Sequence, residues 1–159
     1  MDPNEQDGGA LTPLHPNYVK VVRIGTLLFV LPFVVVALIL EFADQLPRGA
    51  FLAPVLLLAL FLILRTPLRR YHARGYQMGA DRLRVVRGLI FRSDTVVPFG
   101  RVQHIDVQQG PIERTYGLGT LVLHTAGNHN ASVSLPGLGH DDAMAMREEI
   151  RAHVKRETM

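Results

Sequence analysis

The chain has 159 residues, 48% of them hydrophobic and 19% charged, with a mean hydropathy of +0.17, which suits one small domain joined to a greasier part. It has no cysteine, and that excludes a disulfide framework, a thiol nucleophile and a zinc-thiolate centre. The formal charge of +3 is unevenly placed: residues 65–101 hold nine arginines against Asp81 and Asp94, a net +7, and the flanks on either side are each −2.

In chain order, residues 1–17 are expected to form a flexible tail, most mobile over 1–12, where Asp, Gly and Asn dominate and apolar residues are few. Two uncharged runs follow, residues 24–40 (IGTLLFVLPFVVVALIL) and 49–64 (GAFLAPVLLLALFLIL). Each covers about 25 Å as a helix, slightly short of the roughly 30 Å hydrocarbon core, so flanking residues must complete each span. Buried helices of a soluble bundle normally keep a polar stripe, whereas these runs are apolar on every face. Pro32 and Pro54 lie inside the runs, where membrane helices tolerate proline better than soluble ones. Asp2, Glu5 and Asp7 precede the first run and no small-residue cleavage pattern follows it, so a removable signal peptide is not expected.

Residues 41–48 make a short connection, which fits a tight helical hairpin over 18–74. Lys20 and Arg23 precede the first run and Arg65, Arg69, Arg70 and Arg74 follow the second, so the positive-inside rule places both termini in the cytoplasm. Tyr18 and Tyr71 are expected as interface anchors.

From residue 75 to 159 the pattern predicts a β-rich domain. Leu83 and Val85 alternate with Arg82 and Arg84, Arg87-Gly88 supplies a turn, and residues 89–99 return, which together read as a hairpin. Residues 102–108 put Ile105 and Val107 on one face and His104, Asp106 and Gln108 on the other. Strands over 119–125 and 131–135 follow, joined by a turn at 126–130, so that five or six strands are expected. After Pro136-Gly137 the period becomes helical, with Ala143, Met146, Ile150 and Val154 on one face. Asp141 and Asp142 near one end and Lys155 and Arg156 near the other suit the helix dipole. An antiparallel sheet closed by that C-terminal helix buries both apolar faces.

The run from Pro98 to Val107 (PFGRVQHIDV), then Gln109 to Gly119 (QGPIERTYGLG), then His124-Thr125-Ala126-Gly127, resembles the bacterial pleckstrin-homology (PH) domains of YdbS-like membrane proteins. Leu14-His15-Pro16 and the hairpin are similar to that family as well. The resemblance implies a membrane helical hairpin followed by a mainly-β PH-like domain, a bent antiparallel sheet or two near-orthogonal sheets closed by a C-terminal helix. It also implies a multi-pass protein of the bacterial inner membrane and no established enzymatic chemistry. The phosphoinositide site of eukaryotic PH domains does not carry over, because a shared fold does not fix function.

Within the motif, residues 109–117 are expected to form a proline-started turn with one short helix. Arg101, Gln103 and Arg114 are candidates for binding an anion or a partner carboxylate, since arginine presents a planar fork of donors. The plainer alternative is that they satisfy loop carbonyls and hold the turn. Arg69, Arg70 and Arg74 are candidates for lipid headgroups, where each base near anionic lipid contributes about 1 kcal/mol. Their plainer role is to set topology and snorkel.

His104 and Asp106 with His124 on the next strand make a two-histidine, one-carboxylate metal site conceivable, against solvent-facing strand residues as the plainer reading. No helical HExxH, glycine-rich phosphate loop or nucleophile elbow supports catalysis. Stacking aromatics are scarce and the basic collar is pinned at the bilayer, which argues against nucleic acid. The expectation is a non-catalytic binding or scaffold module in a bacterial envelope assembly, without cofactor or metal, whose partners are the bilayer and other membrane proteins or a second copy. Anionic-headgroup recognition is the first alternative, and a small histidine-based metalloprotein or hydrolase the second.

Overall fold

The computed structural model describes residues 10–42, 47, 49–88, 91–126 and 132–157. Helix α1 covers Tyr18–Phe42 and α2 covers Leu52–His72. At about 1.5 Å per residue they reach roughly 37 and 31 Å, so each is long enough to cross a hydrocarbon core of roughly 30 Å. Only 11% of the most apolar window of either helix is buried, the opposite of a soluble core helix. The wide apolar surface that includes Phe29, Ile39, Leu57 and Phe61 therefore has lipid as its solvent. The two helices meet through Val30, Ala37 and Ala59, mostly small residues that let backbones approach. Pro32 and Pro67 sit inside the helices, whereas Pro54 falls in the first turn of α2, where its missing N–H is not needed. The Glu41 carboxylate accepts N–H groups from Gly49, Phe51 and Leu52, and so satisfies the exposed donors where α2 begins. Residues 43–46 and 48 of the expected connection lie outside the described residues.

Among the described residues, six strands follow in two antiparallel three-stranded sheets. The first contains β1 (Arg74–Met78), β2 (Arg82–Arg87) and β3 (Ser93–Pro98) in that order, and the second β4 (Val102–Gln108), β5 (Leu118–Thr125) and β6 (Ser132–Gly139). A single 3-10 turn at Phe99–Arg101 joins the sheets. The short α3 (Pro111–Thr115) lies between β4 and β5, and α4 (His140–Glu157) ends the domain. Membrane hairpin, β domain and closing helix are as expected. Strand β1 carries little period-two signal because Gly75 and Gln77 interrupt it.

Two boundaries differ from the sequence pattern. The expected return strand over 89–99 is β3, starting at Ser93 opposite Arg87, so the connection is longer than the Arg87-Gly88 turn. Residues 89 and 90 lie outside the described residues, as does all of the expected 126–130 turn except Ala126. Pro136-Gly137 does not end the last strand, because β6 is an edge strand, where a missing donor is tolerated. Gly137 has a φ of 78°, and a Cβ there would stand 2.7 Å from Cγ of Tyr18, so the strand passes beneath that ring only as glycine.

That contact corrects the reading of Tyr18 as an interface anchor and, for residues 12–17, the expectation of a flexible tail. Thr12 forms an antiparallel bridge with Tyr76 of β1, and the His15 N–H donates to the Gly137 carbonyl of β6 at 2.8 Å. Leu14 (2% exposed), Tyr18 (6%) and Val22 (9%) join Leu83, Phe99, Leu121, Leu123, Leu135 and Ile150 in one core. An apolar side chain such as Leu14 is stabilised by burial, and composition averaged over the segment hides it. Residues 1–9 lie outside the described residues. On α4 the expected stripe is the buried one, with Ala143 and Ile150 fully covered, Met146 buried and Val154 packed at its margin.

Because α1 begins inside the core of the β domain, Leu14→Ala is expected to cost roughly 2–5 kcal/mol, as other large-to-small core changes do. Thermal unfolding of the full-length protein in detergent checks this. An unchanged midpoint would show that residues 12–18 do not belong to the core.

Candidate functional site

The basic residues at the membrane exit do not form one collar. Arg69 lines an apolar cavity with Phe61, Leu64, Arg65 and Leu68 on one side of α2. Arg70 in the last turn of α2 and Arg74 at the start of β1 both line a different cavity of about 320 Å³ with Arg87, Gly88, Phe91 and Ser93 of the β2–β3 region. A second cavity of about 460 Å³ shares Arg74 and Gly88 and adds His72 and Arg92. Arg74 is also structural: its guanidinium donates to the Tyr18 hydroxyl and stands 5.7 Å from the centre of that ring. Arg87, Arg92 and Phe91 were not singled out by motif, and the only signal for them is the concentration of positive charge over 65–101.

Arg101 and Gln103 are exposed at the start of β4, and Arg114 is exposed on α3 beyond its far end. A seven-residue strand separates them, about 20 Å, so the three do not form one site. Among the described residues, the side-chain bonds that hold the turn come from Gln109 and Glu113. Gln109 Nε2 donates to the Leu118 carbonyl at 2.7 Å, and Glu113 accepts the Gly110 N–H at 2.8 Å and the Thr120 hydroxyl at 2.9 Å. These bonds fasten α3 to β5. Gln103 instead lines a groove of about 330 Å³ between β4 and α4, together with Ile105, Arg147, Arg151 and Val154. The two arginines, one turn apart on α4, were not anticipated, because the helix was read only for its apolar stripe.

His104, Asp106 and His124 do come together, on the outer face of the second sheet. His104 Nε2 lies 2.8 Å from Asp106 Oδ1, His124 Nε2 lies 3.3 Å from Asp106 Oδ2, and the two rings are 5.9 Å apart. Register explains this, since His104 pairs with His124 and Asp106 with Val122. Both ring nitrogens are engaged directly with the carboxylate, and among the described residues no group of three His, Asp or Glu side chains is arranged to hold a metal ion.

Asp94 on β3 meets Arg84 on β2 in a fork, with Nη2 to Oδ2 at 2.5 Å and Nε to Oδ1 at 3.0 Å. The Arg84 hydrogen bonds hold the carboxyl below its ordinary range, with Arg92 adding attraction. The unfolded chain keeps the ordinary value, so the pair stabilises the fold above that value and loses its contribution as pH falls through the lowered native one. The site is largely exposed, which limits the contribution to under about 1 kcal/mol. Asp94→Asn is therefore expected to lower the unfolding midpoint slightly near neutral pH, with the difference vanishing as pH falls through the lowered native value. A difference that persists in acid would assign the effect to something other than the carboxylate charge.

The matches to known proteins agree with this geometry. Residues 23–154 match the family model described as "Bacterial PH domain". The chain is 30% identical over 84 residues to the UPF0699 transmembrane protein YdbS of Bacillus subtilis (strain 168), across 53% of this chain and 51% of that protein. The matched region thus spans about half the length of that relative. No solved structure matches the chain. The family match runs from the first turns of α1 to the last turn of α4 and takes in both membrane helices and both sheets, so the chain belongs to the bacterial PH domain family.

Proposed function

We propose that this protein is a non-catalytic binding or scaffold module of a bacterial envelope assembly, held in the inner membrane with both termini in the cytoplasm. Lys20 and Arg23 in the first two turns of α1, and Arg65, Arg69 and Arg70 late in α2, favour that orientation through the positive-inside rule. The observation that carries the binding role is the open edge of β4. Of the four sheet edges, β1 and β6 are engaged by Thr12 and His15, whereas β3, which ends at Pro98, and β4 each lack a further strand among the described residues. Among the described residues, β4 pairs with β5 on one side and has no strand on the other. Beside it runs the groove with an apolar floor of Ile105 and Val154 and basic walls of Arg147 and Arg151. An uncovered edge offers a row of backbone donors and acceptors to an extended segment, and the basic walls favour an acidic one. The partners this suits are the cytoplasmic segments of other membrane proteins or a second copy.

A second reading, recognition of anionic lipid headgroups by the juxtamembrane arginines, is favoured by the way Arg70 and Arg74 share a cavity with Arg87.

A photo-crosslinking residue at Gln103, in the full-length protein in native membranes, is expected to give a discrete adduct that Ile105→Asp abolishes. The same probe at Thr115, exposed on α3, is expected to give none. Adducts at both positions, or at neither, would sink the β4 surface. The orientation is checked separately with single cysteines, which the chain otherwise lacks. Pro47→Cys is expected to react with an impermeant thiol reagent on intact cells and Asp141→Cys is not.

A further inference from the structure

Phe91 is 89% exposed, the barest large apolar residue among those described, although it belongs to the β domain rather than to the lipid-facing hairpin. A folded domain in water gains nothing from presenting a phenyl ring this way, and exposed apolar groups beside charged rims mark contact surfaces. The loop is built to hold it there. Gly88 has a φ of 155°, and a Cβ on it would lie 2.3 Å from the Phe91 carbonyl oxygen, so the chain folds back tightly only because residue 88 is glycine.

The membrane helices fix the depth of this loop. The uncharged run of α2 ends at Leu64, so the helix leaves the hydrocarbon core near Arg65 and Arg70, about 7 Å further on, stands at headgroup level. Phe91 lines the same cavity as Arg70 and so lies near that level. Around it, Arg70, Arg74, Arg87 and Arg92 line two adjoining cavities that share Arg74 and Gly88, and among the described residues no carboxylate lines either one. Asp94, which also attracts Arg92, accepts the fork of hydrogen bonds from Arg84.

We propose that Phe91 is a third point of membrane contact, entering the interface while Arg70, Arg74, Arg87 and Arg92 hold the phosphate of one anionic phospholipid headgroup. This rests on the second reading above and narrows it from a diffuse collar to a phosphate site with an apolar wedge. Arginine is suited to the task because its planar fork accepts two phosphate oxygens at once. The wedge sets the choice of ligand, since a free phosphate in the cytoplasm gains nothing from an inserted ring whereas a lipid phosphate lies at its depth.

The chain contains no tryptophan, so Phe91→Trp installs a unique fluorescent reporter. The full-length variant is placed in nanodiscs of phosphatidylcholine alone or mixed with phosphatidylglycerol, with brominated acyl chains as quenchers. Phe33→Trp on α1 is expected to be quenched in both discs and reports the anchor. Phe91→Trp is expected to shift to the blue and be quenched in the mixed discs, and to respond less in neutral ones. Adding Arg87→Gln and Arg92→Gln is expected to lower the preference for phosphatidylglycerol about 30-fold, and inorganic phosphate is expected not to restore it.

A water-like emission of Phe91→Trp in both discs, with Phe33→Trp quenched, would overturn the proposal and leave the anchor standing. Phosphatidylglycerol retention that falls with Arg70→Gln but ignores the Arg87 and Arg92 changes would leave the collar reading standing and overturn this site. Retention unaffected by all three changes would overturn both.

Discussion

The rest of the molecule depends on Tyr18 lying over Gly137. Tyr18 is the first residue of a helix that continues into the membrane, and Gly137 lies in the last strand of the β domain. Their contact, with Leu14 and Val22 on either side, makes the base of the hairpin part of the domain core. A domain tethered by a flexible linker would sample many orientations over the bilayer, whereas this one shares close-packed side chains with its own anchor. Arg74 closes the joint from the other helix, since it follows α2 and donates to the Tyr18 hydroxyl. Both membrane helices are thus fastened at the same point.

The fastening also determines which backbone edges stay open. Residues 12–15 reach β1 through Thr12 and β6 through His15, so one short segment joins the outer strands of both sheets. Proteins protect sheet edges with prolines, bulges or covering segments. Here the covering segment is used on the side nearest the hairpin, Pro98 ends β3, and β4 is left with a bulge between Val102 and His104 as its only visible device. An edge left open beside a groove carrying Arg147 and Arg151 is a selective place for a partner strand, because backbone pairing supplies affinity and the side walls supply choice.

Much of this fold was legible because its signals are periodic. The uncharged runs, the alternation of Ile105 and Val107 with His104 and Asp106, and the 143, 146, 150, 154 stripe each repeat a local geometry that side-chain burial enforces. What was not legible depends on single residues acting across long separations. Leu14 is one apolar side chain in a polar segment, and nothing local shows that it is buried. Gly137 follows a proline and reads as a turn, yet its lack of a side chain serves a ring 119 positions earlier, as the distance to Tyr18 shows. The candidate site followed the same division. His104, Asp106 and His124 were correctly placed together because strand register is periodic. Arg101, Gln103 and Arg114 were grouped by closeness in sequence, and the length of β4 separates them.

A fixed orientation changes what weak sites can accomplish. Association from solution must offset the loss of translational and rotational freedom, several kcal/mol or more, before any contact shows as affinity. This domain has already lost that freedom through its hairpin. Ligands in the same membrane, whether lipid headgroups or the cytoplasmic segments of neighbouring proteins, meet it at an effective concentration that reaches about the millimolar range without any new contact. Sites that would be too shallow and open for a soluble receptor are then sufficient. The cavities near Arg70 and beside β4 are of this kind, formed at surfaces rather than enclosed in the core. Loosening the joint at Tyr18 would weaken both kinds of contact together while leaving every binding residue in place, and so the core contact belongs to function as much as to stability.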